Sequence, residues 1–215
     1  MVLTYRPTFR ERRARHADER RRRAYERAYQ EWERDYAIVR TLHAIAGSLP
    51  TLDSGDLPPG LELGAGEQAL WATGHSYLLD LHTSPPLPEP DHRHFAALPP
   101  GRPFPVPEGT VGRTRDGGAV VITDHRLIFL GGRLRREWRH DELTGLAHRP
   151  DRPCTLLRSA GRPRVSGLRL AAGKAHSFRF FLTLAIAEHQ GARAAFARHL
   201  QAAVAEHQAH RPQEP

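Results

Sequence analysis

The sequence contains little cysteine, little lysine and no long apolar run. Cys154 is the only cysteine, so the chain cannot form an internal disulfide and fits a reducing compartment. Lys174 is the only lysine among 32 Lys and Arg residues, so arginine carries nearly all of the positive charge behind the net value of +8. The longest apolar run, at 180–187, is much shorter than the roughly 20 residues of a membrane span. Because the N-terminus also lacks an apolar leader, we expect a soluble, cytoplasmic protein.

Short motifs of common catalytic sites are absent as well. The sequence has no HExxH zinc motif, no Gly-x-Ser-x-Gly nucleophile elbow and no phosphate-binding loop ending in Gly-Lys. His92 and His94 are two residues apart, but no cysteine or carboxylate-rich cluster stands nearby to complete a metal site. We therefore expect a protein that is not an enzyme and that uses neither a metal nor another cofactor.

Residues 8–48 have the composition of one long helix. They contain no proline, no glycine before Gly47, and charged helix formers mixed with aromatic residues. Aromatic and apolar residues recur at heptad spacing and form a stripe that we call the helix seam: Tyr25, Tyr29, Trp32, Tyr36 and Val39. Such a seam predicts packing on another part of the chain or in a short helical homodimer, so a structural or self-association function is one alternative.

The N-terminal part of this helix is rich in arginine. Residues 20–23 are four consecutive arginines, and guanidinium groups pair well with phosphate oxygens. Nucleic-acid binding is therefore a second alternative. A solvated helix face is the simpler interpretation, and an amphipathic helix lying on an anionic membrane is a third.

Proline, glycine and polar clusters divide the rest of the chain. Residues 83–107 form a Pro-rich loop whose segment 85–88 is typical of either a plain connector or a polyproline ligand. The predicted division is a helix at 1–48, a linker at 49–60, a compact domain at 61–208 and a tail at 209–215.

Residues 117–139 give the strongest strand signal. Two β-branched runs, 119–123 and 126–130, flank Asp124-His125, and Gly131-Gly132 turns the chain toward a third run ending at Trp138. Asp116-Gly117 predicts a further turn before the first run. Other predicted strands lie at 67–72, 76–82, 142–148, 155–159, 164–170 and 175–182, followed by an apolar helical stripe at 192–204 that should cover the sheet.

Turns in an antiparallel meander alternate between the two ends of the sheet. Asp116-Gly117 and Gly131-Gly132 should therefore lie at the same end. The arginines beside these two turns would form what we call the arginine rim: Arg113, Arg115, Arg133, Arg135 and Arg136. This rim predicts either an anionic ligand site or an edge protected against pairing with other strands.

The segment 118–130, GAVVITDHRLIFL, resembles the GRAM and bacterial pleckstrin-homology-like domains. In that family a strand ending in Ile-Thr is followed by a tight turn, an Arg-Leu pair and a strand ending in Phe. Residues 137–146 and Glu67, in GEQALW, are also similar to family positions. The resemblance implies an α+β fold in which a small, strongly bent antiparallel barrel or sandwich of about seven strands is capped by a C-terminal helix. Here a long N-terminal amphipathic helix precedes it.

The same resemblance implies a function. Family members bind phosphoinositides, other membrane lipids or protein partners, and Arg113-Thr114-Arg115 looks like the basic pair of the lipid-binding members. It thus implies a binding or scaffolding module whose ligand is a protein partner or an anionic membrane surface. In the membrane case the protein would sit peripherally at the inner face of the membrane.

Overall fold

The structure is a computed structural model with an α+β architecture. It describes these parts of the chain: residues 9–81, 85–98, 112–149, 153–162 and 164–214. Within them it contains one seven-stranded antiparallel sheet, a long N-terminal helix and two C-terminal helices. The predicted α+β class, the N-terminal helix and the prediction of about seven antiparallel strands are confirmed.

One sheet contains all of the described strands. They are β1 (Ala69–Leu81), β2 (Gly112–Thr123), β3 (Arg126–Gly131), β4 (Arg135–Arg139), β5 (Leu143–His148), β6 (Cys154–Ser159) and β7 (Ser166–Arg169). The strand order is β4-β3-β2-β1-β7-β6-β5, so β1 pairs with β2 on one side and β7 on the other. Asp124-His125 joins β2 to β3, and residues 132–134 join β3 to β4, which confirms the predicted meander.

Two predicted strand breaks are wrong. The predicted strands 67–72 and 76–82 form the single strand β1, which crosses Gly74-His75 with a register shift and a positive φ of 54° at His75. Asp116-Gly117 is not a turn either, because it lies inside β2 and pairs with Leu78 and Tyr77. Both sequences have local turn character, but the long ladder between β1 and β2 absorbs the extra residues as bulges.

The predicted strand at 175–182 is helical. It belongs to helix α2 (Ala172–His189), which is buried on two opposite sides. Residues two apart face different partners: Phe178 and Leu182 pack against the sheet, whereas Phe180 and Leu184 pack against the other helices. Because both sides of the helix are apolar, the sequence shows an alternation that imitates a strand.

Helix α3 (Arg193–Ala209) includes most of the apolar stripe predicted at 192–204, but it does not cover the sheet. The sheet is covered by α2, and α3 packs on the outer side of α2 through Phe196 and Leu200. Helix α2 thus lies between two stacked apolar cores, one shared with the sheet and one among the helices, and a third apolar cluster lies on the other face of the sheet.

Helix α1 (Phe9–Ser48) confirms the predicted helix at 8–48. Val39, Leu42 and Ala46 are buried in the core among the helices. Farther toward the N-terminus, α1 runs antiparallel to α3, since Trp32 meets His207 near the end of α3. No helix in the described parts is long and apolar enough to cross a membrane.

Part of the predicted Pro-rich loop packs on the molecule, whereas residues 83–84 and 99–107 lie outside the described residues. Leu87 contacts the face of the sheet away from α2, and Phe95 is buried among the helices. The carbonyl of Pro88 accepts a hydrogen bond from the backbone N–H of Leu146 in β5 (2.9 Å). Segment 85–88 is therefore held against its own sheet.

Candidate functional site

The candidate site centres on Arg136, in β4. Its guanidinium donates a hydrogen bond to Ser166 Oγ in β7 (2.7 Å) and lies 4.0 Å from the carboxylate of Asp80 in β1. Asp80 and Ser166 are paired residues of neighbouring strands, so their side chains share one face of the sheet. Arg136 projects onto the same face, because it pairs with the core residue Phe129.

These contacts show that the sheet is strongly curved. In the strand order, β4 and β7 are four strands apart, which in a flat sheet would separate them by about 19 Å. An arginine side chain cannot span that distance. The hydrogen bond from Arg136 to Ser166 therefore requires the sheet to curl until β4 faces β7 across its concave side.

Further arginines surround this contact. Arg115 pairs with Asp80 (3.1 Å), and Arg162, in the turn between β6 and β7, is close enough to act on Arg136 electrostatically. Burial lowers the pKa of Arg136; Asp80 opposes this effect, whereas Arg162 and Arg115 strengthen it. The pKa is lowered overall, so the attraction of Asp80 does not compensate for desolvation and the other positive charges.

The other rim residues are arranged less tightly. Arg113 lies opposite Asp80 in register and is exposed, while Arg133 is exposed in the turn between β3 and β4. Arg135 projects from the opposite face of β4 to Arg136 and pairs with Glu137 (2.8 Å). Of the predicted rim, the structure brings Arg115 and Arg136 together around one carboxylate and directs Arg135 away.

Asp116 positions the turn that carries Arg133. Its carboxylate accepts hydrogen bonds from the backbone N–H groups of Arg133 (2.7 Å) and Leu134 (2.8 Å). These bonds lower the pKa of the Asp116 carboxyl group. Asp116 was predicted to lie in a turn, but it lies in strand β2 and stabilises the turn between β3 and β4.

The sequence prediction missed Asp80, Ser166 and the turn arginines Arg162 and Arg164. Asp80 pairs with Ser166 where β7 meets β1, and Arg162 and Arg164 lie within four residues of Ser166 in the chain. The Gly-Arg-Pro-Arg sequence at 161–164 was the available signal, since it places Arg162 in a turn between two predicted strands and Arg164 at the start of the second.

The residues that carry the family resemblance form a separate buried ion-pair network. Arg126 donates to both carboxylate oxygens of Glu67 (2.8 Å each), and Thr123 donates to Glu67 as well (2.7 Å). Burial raises the pKa of Glu67, but the bonds from Arg126, Thr123 and the Gly64 N–H outweigh it and lower the value to about 2. This network links the segment before β1 to the β2–β3 turn and is structural.

A small cleft lies between segment 85–98, β5 and α2. Its lining includes Asp91, His94, His148 and Thr183. Burial, with a further contribution from Arg179, lowers the pKa of His148 to about 3, and the ring bonds to Thr155 Oγ1 (2.8 Å). His148 is thus neutral, and no group of three or more metal-binding side chains is found among the described residues.

The helix seam faces α3. Trp32 Nε1–H donates to the carbonyl of His207, and His207 Nε2–H donates to the carbonyl of Trp32, both at 2.9 Å. The two rings stack with centroids 5.7 Å apart, and Tyr36 stacks on Trp32 at 5.0 Å. Tyr29 and Tyr25 continue the aromatic row toward the N-terminus. The seam is therefore occupied from Trp32 to Val39 by contacts within the chain.

No protein-family model, curated protein or solved structure matches the chain.

Proposed function

We propose that the chain is a non-enzymatic binding module of the pleckstrin-homology-like type that attaches to an anionic membrane surface through its arginine rim. The observation that carries the proposal is the uncompensated charge around Arg136. Asp80 is shared between Arg115 and Arg136, and Arg162 adds a further positive charge. A phosphate or carboxylate group on a ligand would relieve this excess.

The architecture supports the family part of the proposal. A curled seven-stranded antiparallel sheet followed directly by a helix that covers its core is the arrangement that the resemblance implies. The pairing of Glu67, Thr123 and Arg126 also gives a structural reason for these residue types at the positions that carry the resemblance.

Exposure favours a surface ligand over a small enclosed one. Arg113, Arg115 and Arg133 are exposed, and Leu134, at the tip of the same turn as Arg133, is an exposed large apolar residue. Basic residues near an anionic leaflet contribute about 1 kcal/mol each. An apolar side chain among them adds burial in the headgroup region.

The test is cosedimentation with vesicles of phosphatidylcholine and phosphatidylserine at low and high salt. Arg115→Glu with Arg133→Glu should weaken binding by about 2 kcal/mol, or about thirtyfold, from the lost arginines alone. Both side chains are exposed, so the fold should tolerate the change. Binding of the native protein should also weaken steeply as salt increases.

Arg139→Glu with Arg198→Glu is the matched control, since it changes the net charge equally. Arg139 lies at the far end of β4 from Arg136, and Arg198 lies on α3, and both are exposed. Equal losses of vesicle binding in the two double variants would show that binding depends only on the net charge. No sedimentation of the native protein at low salt would disprove the membrane proposal and leave a protein partner as the alternative ligand.

A further inference from the structure

Helix α1 carries a basic stripe that is independent of the arginine rim. An α-helix turns by about 100° per residue, so residues at spacings of three, four and seven share a face. Six basic residues fall within a sector of about 80° on this geometry. They form the basic stripe: Arg13, His16, Arg20, Arg23, Arg27 and Arg34. One exposed acid, Glu31, lies at the edge of the same sector.

This stripe lies on the side of α1 that faces away from α3. The seam residues occupy another sector of about 80°, and the centres of the two sectors are about 160° apart. Since Trp32 and Tyr36 in the seam contact His207 of α3, the stripe points outward. All six of its side chains are exposed.

Most of the stripe also lies beyond the end of α3. The helices run antiparallel, and α3 ends at Ala209, close to Trp32. The 19 helical residues 9–27 therefore project past it by about 28 Å, at 1.5 Å per residue. From Arg13 to Arg34 the stripe is about 32 Å long.

The arginines of the basic stripe differ in their salt bridges from the arginines of α1 that lie outside the stripe. Arg21 bonds to Asp18 (2.7 Å) and Arg22 to Glu26 (3.1 Å), and neither lies on the stripe. Among the described residues, the salt bridges of this helix include none from an arginine of the stripe to a carboxylate. Their charges are therefore available to an external partner.

Chemistry favours a nucleic acid over a membrane as that partner. A helix that lies on a membrane needs an apolar face. The seam of α1 is covered by α3 from Trp32 onward, and residues 10–24, beyond α3, contain no apolar side chain larger than alanine. A row of guanidinium groups at a spacing of about one helical turn matches a row of backbone phosphates, and an α-helix fits the major groove of a duplex.

We propose that the basic stripe of α1 binds the phosphate backbone of duplex nucleic acid without sequence specificity. The site is distinct from the arginine rim, so this proposal does not depend on the membrane proposal. Five arginines that each neutralise one phosphate would give a log–log salt slope of about −4.5. Raising the salt from about 50 mM to about 200 mM would then weaken binding by about 500-fold.

The experiment uses the full chain and a fluorescent DNA duplex of about 20 base pairs, followed by anisotropy at several salt concentrations. Arg20→Glu with Arg23→Glu should weaken binding at low salt by about tenfold or more and make the slope shallower by about 1.8. The control, Arg15→Glu with Arg22→Glu, changes the net charge equally but lies outside the stripe. It should retain nearly the native slope. Circular dichroism of both variants checks that the helix persists.

Three outcomes would overturn the proposal. The first is no duplex binding by the native chain at low salt, and the second is an equal loss of affinity in the two variants. The third is that Arg20→Glu with Arg23→Glu loses binding to anionic vesicles but keeps its binding to the duplex. That last result would assign the stripe to a membrane.

Discussion

Glu67 and Arg126 show how a single pair of residues can fix the junction between distant segments. The Glu67 side chain is only 6% exposed, and its two oxygens accept bonds from Arg126, Thr123 and the Gly64 N–H. Breaking a buried ion pair by removing one partner leaves the other charge desolvated. The residue types that support the family resemblance are therefore explained by stability.

We expect Glu67→Gln to destabilise the protein by about 3 kcal/mol, measured by urea unfolding near neutral pH. The shape of the side chain is kept, but Arg126 loses its bidentate partner and keeps only Glu137 as a charged partner. Glu142→Gln is the control, because Glu142 is exposed and interacts only at 3.8 Å with Arg139. A loss below about 1 kcal/mol for Glu67→Gln would place the pair among ordinary surface salt bridges.

The effect of Glu67→Gln on the unfolding free energy should also depend on pH. The pKa of Glu67 falls from 4.5 to about 2 on folding, so its stabilising effect is complete above about pH 4.5 and is lost as the pH falls toward 2. Between about pH 7 and pH 3, the difference in unfolding free energy between native protein and Glu67→Gln should shrink by about 2 kcal/mol. A constant difference over this range would contradict the assignment of the effect to the Glu67 charge.

His140 should lower stability in the same direction as Glu67, but over a higher pH range. Its Nε2–H donates to the carbonyl of Thr123 (2.9 Å), while Nδ1 is buried without a hydrogen-bond partner. Burial lowers its pKa from 6.5 to about 4, so the unfolded state binds the proton more tightly. Stability should therefore fall as the pH decreases from about 6.5 to about 4.

His140 should cost the native protein about 2.5 kcal/mol of unfolding free energy between about pH 7.5 and pH 4.5. The variant His140→Gln should not show this loss. Glutamine keeps an N–H donor for the carbonyl of Thr123 but cannot take up a proton in this range. Urea unfolding at both pH values gives the comparison, with exposed His125→Gln as the control. If the two variants have the same pH dependence, burial of His140 is not its cause.

At the scale of elements, α1 and α2 show what local sequence can and cannot predict. The bounds of α1 follow from the absence of proline and glycine over 8–46. The strand prediction at 175–182 failed because Phe178 and Phe180 contact different layers, which a single chain segment does not reveal. A helix buried on two sides loses the one-sided pattern on which such predictions depend.

The candidate site, like the helices, was predictable from the sequence only in part. Arg115 and Arg136 were predicted to lie together because each stands beside a predicted turn, but Asp116-Gly117 lies inside β2, and the curl of the sheet is what brings both arginines to Asp80. Asp80 and Ser166 meet only because β1 pairs with β7, which is a contact between residues far apart in the chain. Non-local pairing is the part of a fold that local patterns specify least.

The seam of α1 gives a prediction at this scale. Trp32→Ala with Tyr36→Ala removes the stacked rings and the indole bond to His207, so hydrogen exchange in α1 should accelerate and thermal stability should fall. The mass measured by light scattering should not change, since these rings contact α3 of the same chain. Arg34→Ala, on the exposed side of α1, should alter neither property. A dimeric native protein that becomes monomeric in the double variant would assign the seam to self-association instead.

The whole molecule is organised around α2, which separates two apolar cores. One side of α2 completes the core of the curled sheet through Phe178 and Ile186. Its other side needs α1 and α3, because Phe180 and Leu184 pack with Leu42 and Phe196. The helical layer is thus continuous with the sheet domain through α2, and the two binding surfaces proposed above lie on separate layers.

This layering makes the effect of truncation depend on where it ends. Residues 9–24 lie beyond the end of α3 and their described side chains are exposed, so removing residues 1–24 should change the thermal midpoint by less than about 2 °C. Removing residues 1–48 deletes Val39, Leu42 and Ala46 and uncovers Phe180 and Phe196. Each large buried side chain contributes about 1.5–3 kcal/mol, so the midpoint should fall by about 10 °C or more.

Scanning fluorimetry and binding of a hydrophobic dye distinguish the two deletions. The shorter one should bind no more dye than the full chain, whereas the longer one should expose the outer side of α2 and bind strongly. A truncated chain of residues 49–215 with the native midpoint would mean that the sheet, α2 and α3 form an independent domain, as the sequence-based division predicts. In that case the contacts of α1 with Phe180 and Phe196 would add little to stability, and α1 would serve mainly to present its basic stripe.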